Sequence, residues 1–482
     1  MAKSRRDFLR LGVATAAGLV ASRTAAQHEG HHPPAPVPAT PPAAPAARTS
    51  RKAASPGPFI PVEVPDVPRL PWRLENGVKV FHLIPEVVKT NFTPWKTVNT
   101  WGYNGSTPGP TIEIQEGDRV RIVVENRLPE ATVMHWHGLE VPNDMDGVEG
   151  LTQDFIAPGE TFVYEFTIHQ HGTFFYHSHR PMQQMMGMIG LFVVHPKKAY
   201  EPRCDRDFGL ILQEWATLPN NPTPNTLAME FNWLTINGKS APATTPMLVK
   251  LGERVRLRMV NLGMDHHPMH MHGHTWVTTG TEGGRLPRVL WRPGNTELIG
   301  VAQARDLEFV ANNPGDWMIH CHLPHHMMNA MVSMVGPMSE PGGGVPTGAG
   351  MEEGMGMITG GHAMSHDLGP SMGRTIGVDA DQPVSHAVGP QDQGGHAGHG
   401  GHGDHGGHGA AATAPNARQV PGYPQDMWMV MDKEVEKPET YGMRPTWTGA
   451  MMGMMTIIRV LKPEMFDKIQ AMKEQAGQGG GR

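Results

Sequence analysis

Between residues 61 and 198, apolar and polar positions alternate in short runs, each closed by turn residues. Runs at 111–115, 119–125, 161–168 and 191–195 put their apolar side chains on one face of an extended chain, the period of two that marks a half-buried strand. Glu116-Gly117 and Pro158-Gly159 interrupt the pattern as turns. This predicts an antiparallel β-sandwich. The same texture returns over 203–338, with strands predicted at 209–213, 248–251, 254–260 and 307–310. Asn313-Pro314-Gly315-Asp316 forms a turn before a further extended run. Two successive β-sandwich halves are expected, over 61–198 and 199–338. A chain of 482 residues is long enough for two or three domains of ordinary size.

The flanks read differently. Ser4-Arg5-Arg6-Asp7-Phe8-Leu9-Arg10 precedes a weakly apolar run at 11–21, which predicts a twin-arginine export signal over 1–26, with cleavage after Ala26. That run is too short and too rich in Ala and Gly to span a membrane. A periplasmic or otherwise secreted mature protein follows. Residues 27–60, rich in Pro, Ala and His, read as a linker. Residues 339–421 are dominated by Gly, Pro, Met and His without apolar periodicity, a composition that builds no packed core. Over the C-terminal extension, 422–482, structure signals return: a strand at 451–461 and a short amphipathic helix at 463–476. What that segment covers is not readable from its pattern.

The formal net charge of −6 argues against nucleic acid as the main partner. Cys204 and Cys321 are the only cysteines, so there is no disulfide framework.

The chemistry concentrates at His320-Cys321-His322. In a strand, side chains alternate faces, so the two imidazoles point one way and the thiol the other. His326 lies five residues beyond Cys321, and Met331 five further. A thiolate, an imidazole and a weak thioether at this spacing are ligands for a blue-copper electron-transfer site. The flanking histidines then hold other metal atoms on the opposite face. Three further pairs have the same form: His135-Trp136-His137, His177-Ser178-His179, and His270-Met271-His272 with His267 three residues earlier. One such pair means little; four in this order are specific.

The stretches HWHG (135–138), HSH (177–179), HPMHMHGH (267–274) and HCHLPHHMMNAM (320–331) resemble those of the multicopper oxidase family, which includes laccases and metal-oxidising copper enzymes. The resemblance covers roughly residues 75 to 336. It implies an all-β fold of two cupredoxin-like Greek-key sandwich domains and four coppers per chain. His267, Cys321 and His326 would hold the type 1 copper, with Met331 axial. His135 and His270 would hold the type 2 copper; His137, His177, His179, His272, His320 and His322 would hold the type 3 pair. Asp146 matches an acidic position near the cluster and is a candidate proton relay, with a plain Asp-Gly turn as the competing reading. Some members carry a carboxylate two residues after the HCH triplet, where this chain has Pro324. About ninety residues separate His177 from His267, which fits a two-domain member. In such members the cluster lies between neighbouring subunits of a homotrimer.

The implied activity is one-electron oxidation of a small donor coupled to four-electron reduction of dioxygen to water. The donor is a phenol, as for a laccase, or Cu(I), as for a copper-tolerance oxidase. Methionine is abundant, at 34 residues, and soft thioether sulfur favours Cu(I). Near 182–188 its ordinary role is packing. In the coreless 339–421 stretch, Met351, Met355, Met357, Met364 and the histidines from His396 to His408 read as copper capture. Two other functions compete. A periplasmic copper-storage protein would show no oxygen uptake. A two-domain copper nitrite reductase would carry its blue-copper cysteine in the first domain, whereas Cys321 lies in the second.

Overall fold

The computed structural model describes residues 59–217, 221–226, 231–328 and 431–479. The export signal, nearly all of the 27–60 linker, Met331 and the Met/His-rich 339–421 stretch lie outside these residues. The described chain is built mainly of strands, as the alternating pattern predicts.

The first half runs through β1 (Trp72–Glu75), β2 (Val78–Leu83), β3 (Pro85–Thr93), β4 (Lys96–Tyr103), β5 (Gly109–Gln115), β6 (Arg119–Glu125), β7 (Met134–His137), β8 (Thr161–Thr167), β9 (Gly172–Ser178) and β10 (Ile189–His195), with a one-turn helix α1 (Pro181–Met185) before β10. One sheet has the order β1-β2-β6-β8 and the other β5-β10-β9-β7, while β3 and β4 form a separate hairpin. Phe81, Ile122 and Tyr164 from the first sheet meet Ile112, Trp136, Tyr176 and Phe192 from the second in one core. The alternation along β6 is why this works: Val120, Ile122 and Val124 face inward while Arg119 and Arg121 face out.

The second half contains β11 (Arg206–Trp215), β12 (Trp233–Ile236), β13 (Met247–Lys250), β14 (Arg254–Asn261), β15 (His267–Met271), β16 (Trp276–Thr281), β17 (Gly284–Arg285), β18 (Arg292–Gly294), β19 (Thr296–Ile299), β20 (Gln303–Val310) and β21 (Gly315–Cys321). A seven-stranded sheet, β12-β11-β14-β20-β16-β17 with β18 on β16, packs on a five-stranded one. That second sheet reads β13-β22-β21-β15-β19, and β22 (Met455–Leu461) comes from beyond the 339–421 stretch. It lies parallel to β13 (Val249 opposite Val460) and antiparallel to β21 (Ile319 opposite Thr456). All seven of its residues are buried, so the late segment is a central strand of the second sandwich. The helix α2 (Pro463–Gly479) then lays Phe466 and Ile469 against Leu248 and Leu461.

The two halves meet across β9 and β10. Every residue of β9 is buried, because Phe174 and Tyr176 fill the first core while Phe175 packs with Leu191, Ile211, Val260 and Ala304 at the junction. A sealed polar network sits beside this apolar layer. Thr173 Oγ1 donates to Asp306 and accepts from Arg258, which also forks onto Asp207 through two 2.8 Å contacts. Burying charges is costly unless they are paired, and here each has a partner. Burial pushes the Glu308 carboxyl upward, but Arg256 and Arg285 outweigh it and hold it at about 2. Among the described residues, no helix is long and apolar enough to cross a membrane.

Candidate metal centres

The first centre lies inside the second sandwich. Cys321, at the end of β21, faces the core and is fully buried. Its Sγ lies 3.8 Å from His267 Nδ1 and 3.5 Å from His326 Nδ1, and the two Nδ1 atoms are 3.2 Å apart. Three donor atoms thus converge, although two come from β15 and β21 and the third from the short 3-10 turn Pro324–Met327. The segment before β22 closes the site from behind. The Cys321 N–H donates to the Met454 carbonyl, and the Met454 N–H to that of His326. Gly453 is required there, since a Cβ would stand 2.3 Å from the His326 carbonyl oxygen.

This donor set fits a copper ion. Burial pushes the Cys321 thiol up to about 12. Burial, aided by His267 and His325, pulls His326 down to about 3. The site therefore holds a neutral thiol and a neutral imidazole at pH 7, and a metal ion would displace the thiol proton. With Nδ1 turned inward on both rings, a metal ion held there would leave the protons on Nε2. His267 Nε2 lies 3.1 Å from the buried Glu214 carboxylate. His326 Nε2 is fully buried without a hydrogen bond, 3.3 Å from Asp265.

The other eight histidines form two groups of four, one in each sandwich. In the first, β7 pairs with β9 so that His135 lies directly opposite His177. In the second, β15 pairs with β21 so that His270 lies opposite His320. Directly opposed residues share a face of the sheet, so each pair brings its H-x-H neighbour with it. His135 lies within ring contact of His137, His177 and His179 at 5.3–5.7 Å between centroids. His270 lies within 5.0–5.6 Å of His272, His320 and His322. Among the described residues, no ring of one group contacts a ring of the other. His272 and His322 are exposed, and His179 is 38 % exposed, so both groups open to the surface.

Most of these rings are held by Nδ1, leaving Nε2 free to bind. His135 Nδ1 donates to the Asp146 carbonyl at 2.8 Å, His177 to its neighbour Ser178, His320 to Cys321, and His270 to Asn295. His137 is turned the other way, with Nδ1 3.4 Å from His177 Nε2. Burial and neighbouring imidazoles lower His137 to about 4 and His177 to about 3, keeping them neutral ligands. Asp146 also has a carboxylate oxygen 3.5 Å from His135 Nδ1. Its loop is pressed onto β7 through Gly147, where a Cβ would stand 1.8 Å from the Met134 carbonyl oxygen.

Three acidic side chains beside the candidate ligands belong to no motif. They are Glu214 on His267, Glu149 on His179 (Nδ1 to Oε2, 3.0 Å) and Asp265 on His326. No periodic signal in the sequence marks any of them, Glu214 included, although its strand is buried almost throughout. Two histidines outside the assigned set have other partners. His171 bonds Tyr200, and His266 accepts from the Val301 N–H.

Comparison with known proteins bears on the family of the chain. Residues 86–199 and 216–338 each match a family model described as multicopper oxidase. Over 113 residues the chain is 44 % identical to a copper resistance protein A homolog of Pseudomonas syringae, covering 23 % of this chain and 19 % of that protein. Over 248 residues it is 31 % identical to the multicopper oxidase MmcO of Mycobacterium tuberculosis, covering 44 % and 48 %. It is 33 % identical to the blue copper oxidase of Nitrosomonas europaea, covering 52 % of this chain and 81 % of that one, with a TM-score of 0.49. The chain belongs to the multicopper oxidase family. Its matched regions span about a fifth to a half of the curated relatives named here.

Proposed function

We propose that this protein is an exported copper-dependent oxidase, coupling one-electron oxidation of a small donor to the four-electron reduction of dioxygen to water. His267, Cys321 and His326, with Met331, hold the type 1 copper. His135 and His270 hold the type 2 copper, and His137, His177, His179, His272, His320 and His322 the type 3 pair. Copper so bound supplies one-electron acceptance at the first centre and oxygen reduction at the second.

One relationship carries the reading. Cys321 is fully buried among the core side chains, while His320 beside it turns to the opposite face and meets His270 and His272. A single strand therefore supplies both centres, and they are one peptide apart. The polypeptide's own part is to seal the sulfur from water, fix each imidazole tautomer through Nδ1 or Nε2, and set the Asp146 carboxylate beside His135 as a proton relay. Because each group of four imidazoles is open, a complete cluster needs the first sandwich of one copy against the second sandwich of another. A homotrimer satisfies this head to tail for every copy. The domains are taken as 61–198 and 199–338, the second completed by β22 from the C-terminal extension, and twin-arginine export suits a protein loaded with metal when folded.

The likeness to a copper resistance protein, with the methionines and histidines of 339–421, favours Cu(I) as donor over a phenol. The test is oxygen uptake by copper-loaded protein with Cu(I) and with a phenol, together with copper counting. Four coppers per chain and donor-dependent uptake are expected. A count well below four, or unchanged uptake in Cys321→Ser, would overturn the reading. Copper binding without uptake from any donor would instead indicate storage.

A further inference from the structure

The loop over 140–154 carries five acids (Glu140, Asp144, Asp146, Glu149, Asp154) and no lysine or arginine. Two of them anchor ligand histidines, Asp146 on His135 and Glu149 on His179. Its tip is apolar and outward: Leu151 is 79 % exposed, and Phe155, just beyond the loop, 48 %. The tip is also prebuilt. The Leu151 and Thr152 N–H groups both bond the Val148 carbonyl, and Thr152 Oγ1 accepts the Val148 N–H. Asp144 and Asp154 have no ion-pair partner among the described residues.

The complementary surface lies in the second sandwich. A cavity of about 960 Å³ opens directly beside His270 and His272. Arg288 and Trp291 stand in its lining, 5.8 Å apart, and Arg288 has no ion-pair partner among the described residues. Arg292 beside them is 71 % exposed, with one guanidinium nitrogen on Glu297 at 2.8 Å and the rest of the group facing out. Deeper in the lining, His274 Nδ1 and Trp276 Nε1 are buried with no hydrogen-bond partner, a costly condition unless an incoming group supplies one. Val289 and Leu290 lie exposed next to the rim.

We propose that the 140–154 loop of one copy seats in this cavity of the next, with Leu151 at its tip and Asp144 and Asp154 against Arg288 and Arg292. This rests on the reading that two copies complete the copper cluster, and it specifies the contact that joins them. The charges match, the apolar tip meets an aromatic lining, and each surface adjoins its own four histidines. Docking therefore brings the two groups together, and the loop that fixes His135 and His179 is itself braced by the neighbour.

The test is sedimentation of full-length copper-loaded protein, with copper counting and the blue absorption of the type 1 centre. The variants are R288E/R292E, D144K/D154K, and all four changes combined. Each pair alone should weaken self-association on the order of tenfold or more and lower the copper count, since close charge pairs at interfaces carry such energies. The combined variant should recover both. Persistent blue colour shows that each chain is folded, because that centre lies within one copy. Wild-type oligomers unaffected by either reversal would overturn the loop-and-cavity contact while leaving the shared cluster standing. A fully metallated monomeric wild type would overturn both.

Discussion

Glu214 and His267, 53 positions apart in the chain, meet at 3.1 Å with both side chains sealed from solvent. The same carboxylate accepts the backbone N–H groups of Met264 and Asp265. One acid thereby ties β11 to the turn before β15 and fixes which nitrogen of His267 faces the sulfur. Glu214→Gln should lower affinity for the type 1 copper roughly 10–100-fold, as loss of such outer partners does elsewhere. It should also raise the reduction potential, since a negative charge near the metal is removed. Metal competition and potentiometry measure the two effects. If neither moves, Glu214 serves packing alone.

Removing everything after residue 421 should abolish the blue centre, whereas an internal deletion within 345–415 should not. The truncation takes away β22, including Ile458 and Val460, which are essentially fully buried. Each such side chain contributes about 1.5–3 kcal/mol by leaving water, against a net stability of about 5–15 kcal/mol for a typical domain. It also removes the Met454 backbone that bonds the Cys321 N–H. Circular dichroism and visible absorption of the two variants decide the matter. A folded, blue truncation product would contradict it.

Acid should destabilise the metal-free protein. His137, His177 and His326 are lowered to about 4, 3 and 3 from an ordinary 6.5, in each case chiefly by burial. Between those values and 6.5 the unfolded chain binds more protons than the folded one. Stability therefore rises with pH through that window and levels off above it. Chelator-treated protein should lose Tm steadily from about pH 6.5 downward and hold it above about pH 7. A flat Tm between about pH 5 and 7 would rule out neutral, buried histidines.

Cys204 should behave as an inert thiol. Burial raises it to about 12, with Arg256 opposing and Glu308 and Asp207 adding to the rise. Because the thiolate is the reactive form, native protein should label negligibly with a thiol reagent and denatured protein should label fully. Rapid labelling of native, copper-loaded protein at Cys204, located by peptide mapping, would contradict this.

The sequence made some of this legible for a clear reason. A strand repeats every two residues, so H-x-H and H-C-H declare their faces without knowledge of any partner. The grouping of His267, Cys321 and His326 followed from the family motif, and the structure brings those three together. Glu214, Glu149 and Asp265 act across long separations, and a single acid carries no periodic signal. The place of β22 was equally hidden. Its run of buried residues identifies a strand, but nothing in Met-Thr-Ile-Ile-Arg-Val-Leu names β13 and β21 as neighbours. The division of the histidine pairs between the two halves is legible from their positions, whereas the openness of each group is a fact of three-dimensional arrangement.

The interior position of β22 has a bearing on biogenesis. While the polypeptide emerges from the ribosome, the edge of β21 that carries Cys321 stays unpaired on one side until residues 455–461 have been synthesised. Until then the backbone N–H of Cys321 lacks its partner, the Met454 carbonyl. Closure of the site around Cys321 therefore waits until residues 455–461 are in place.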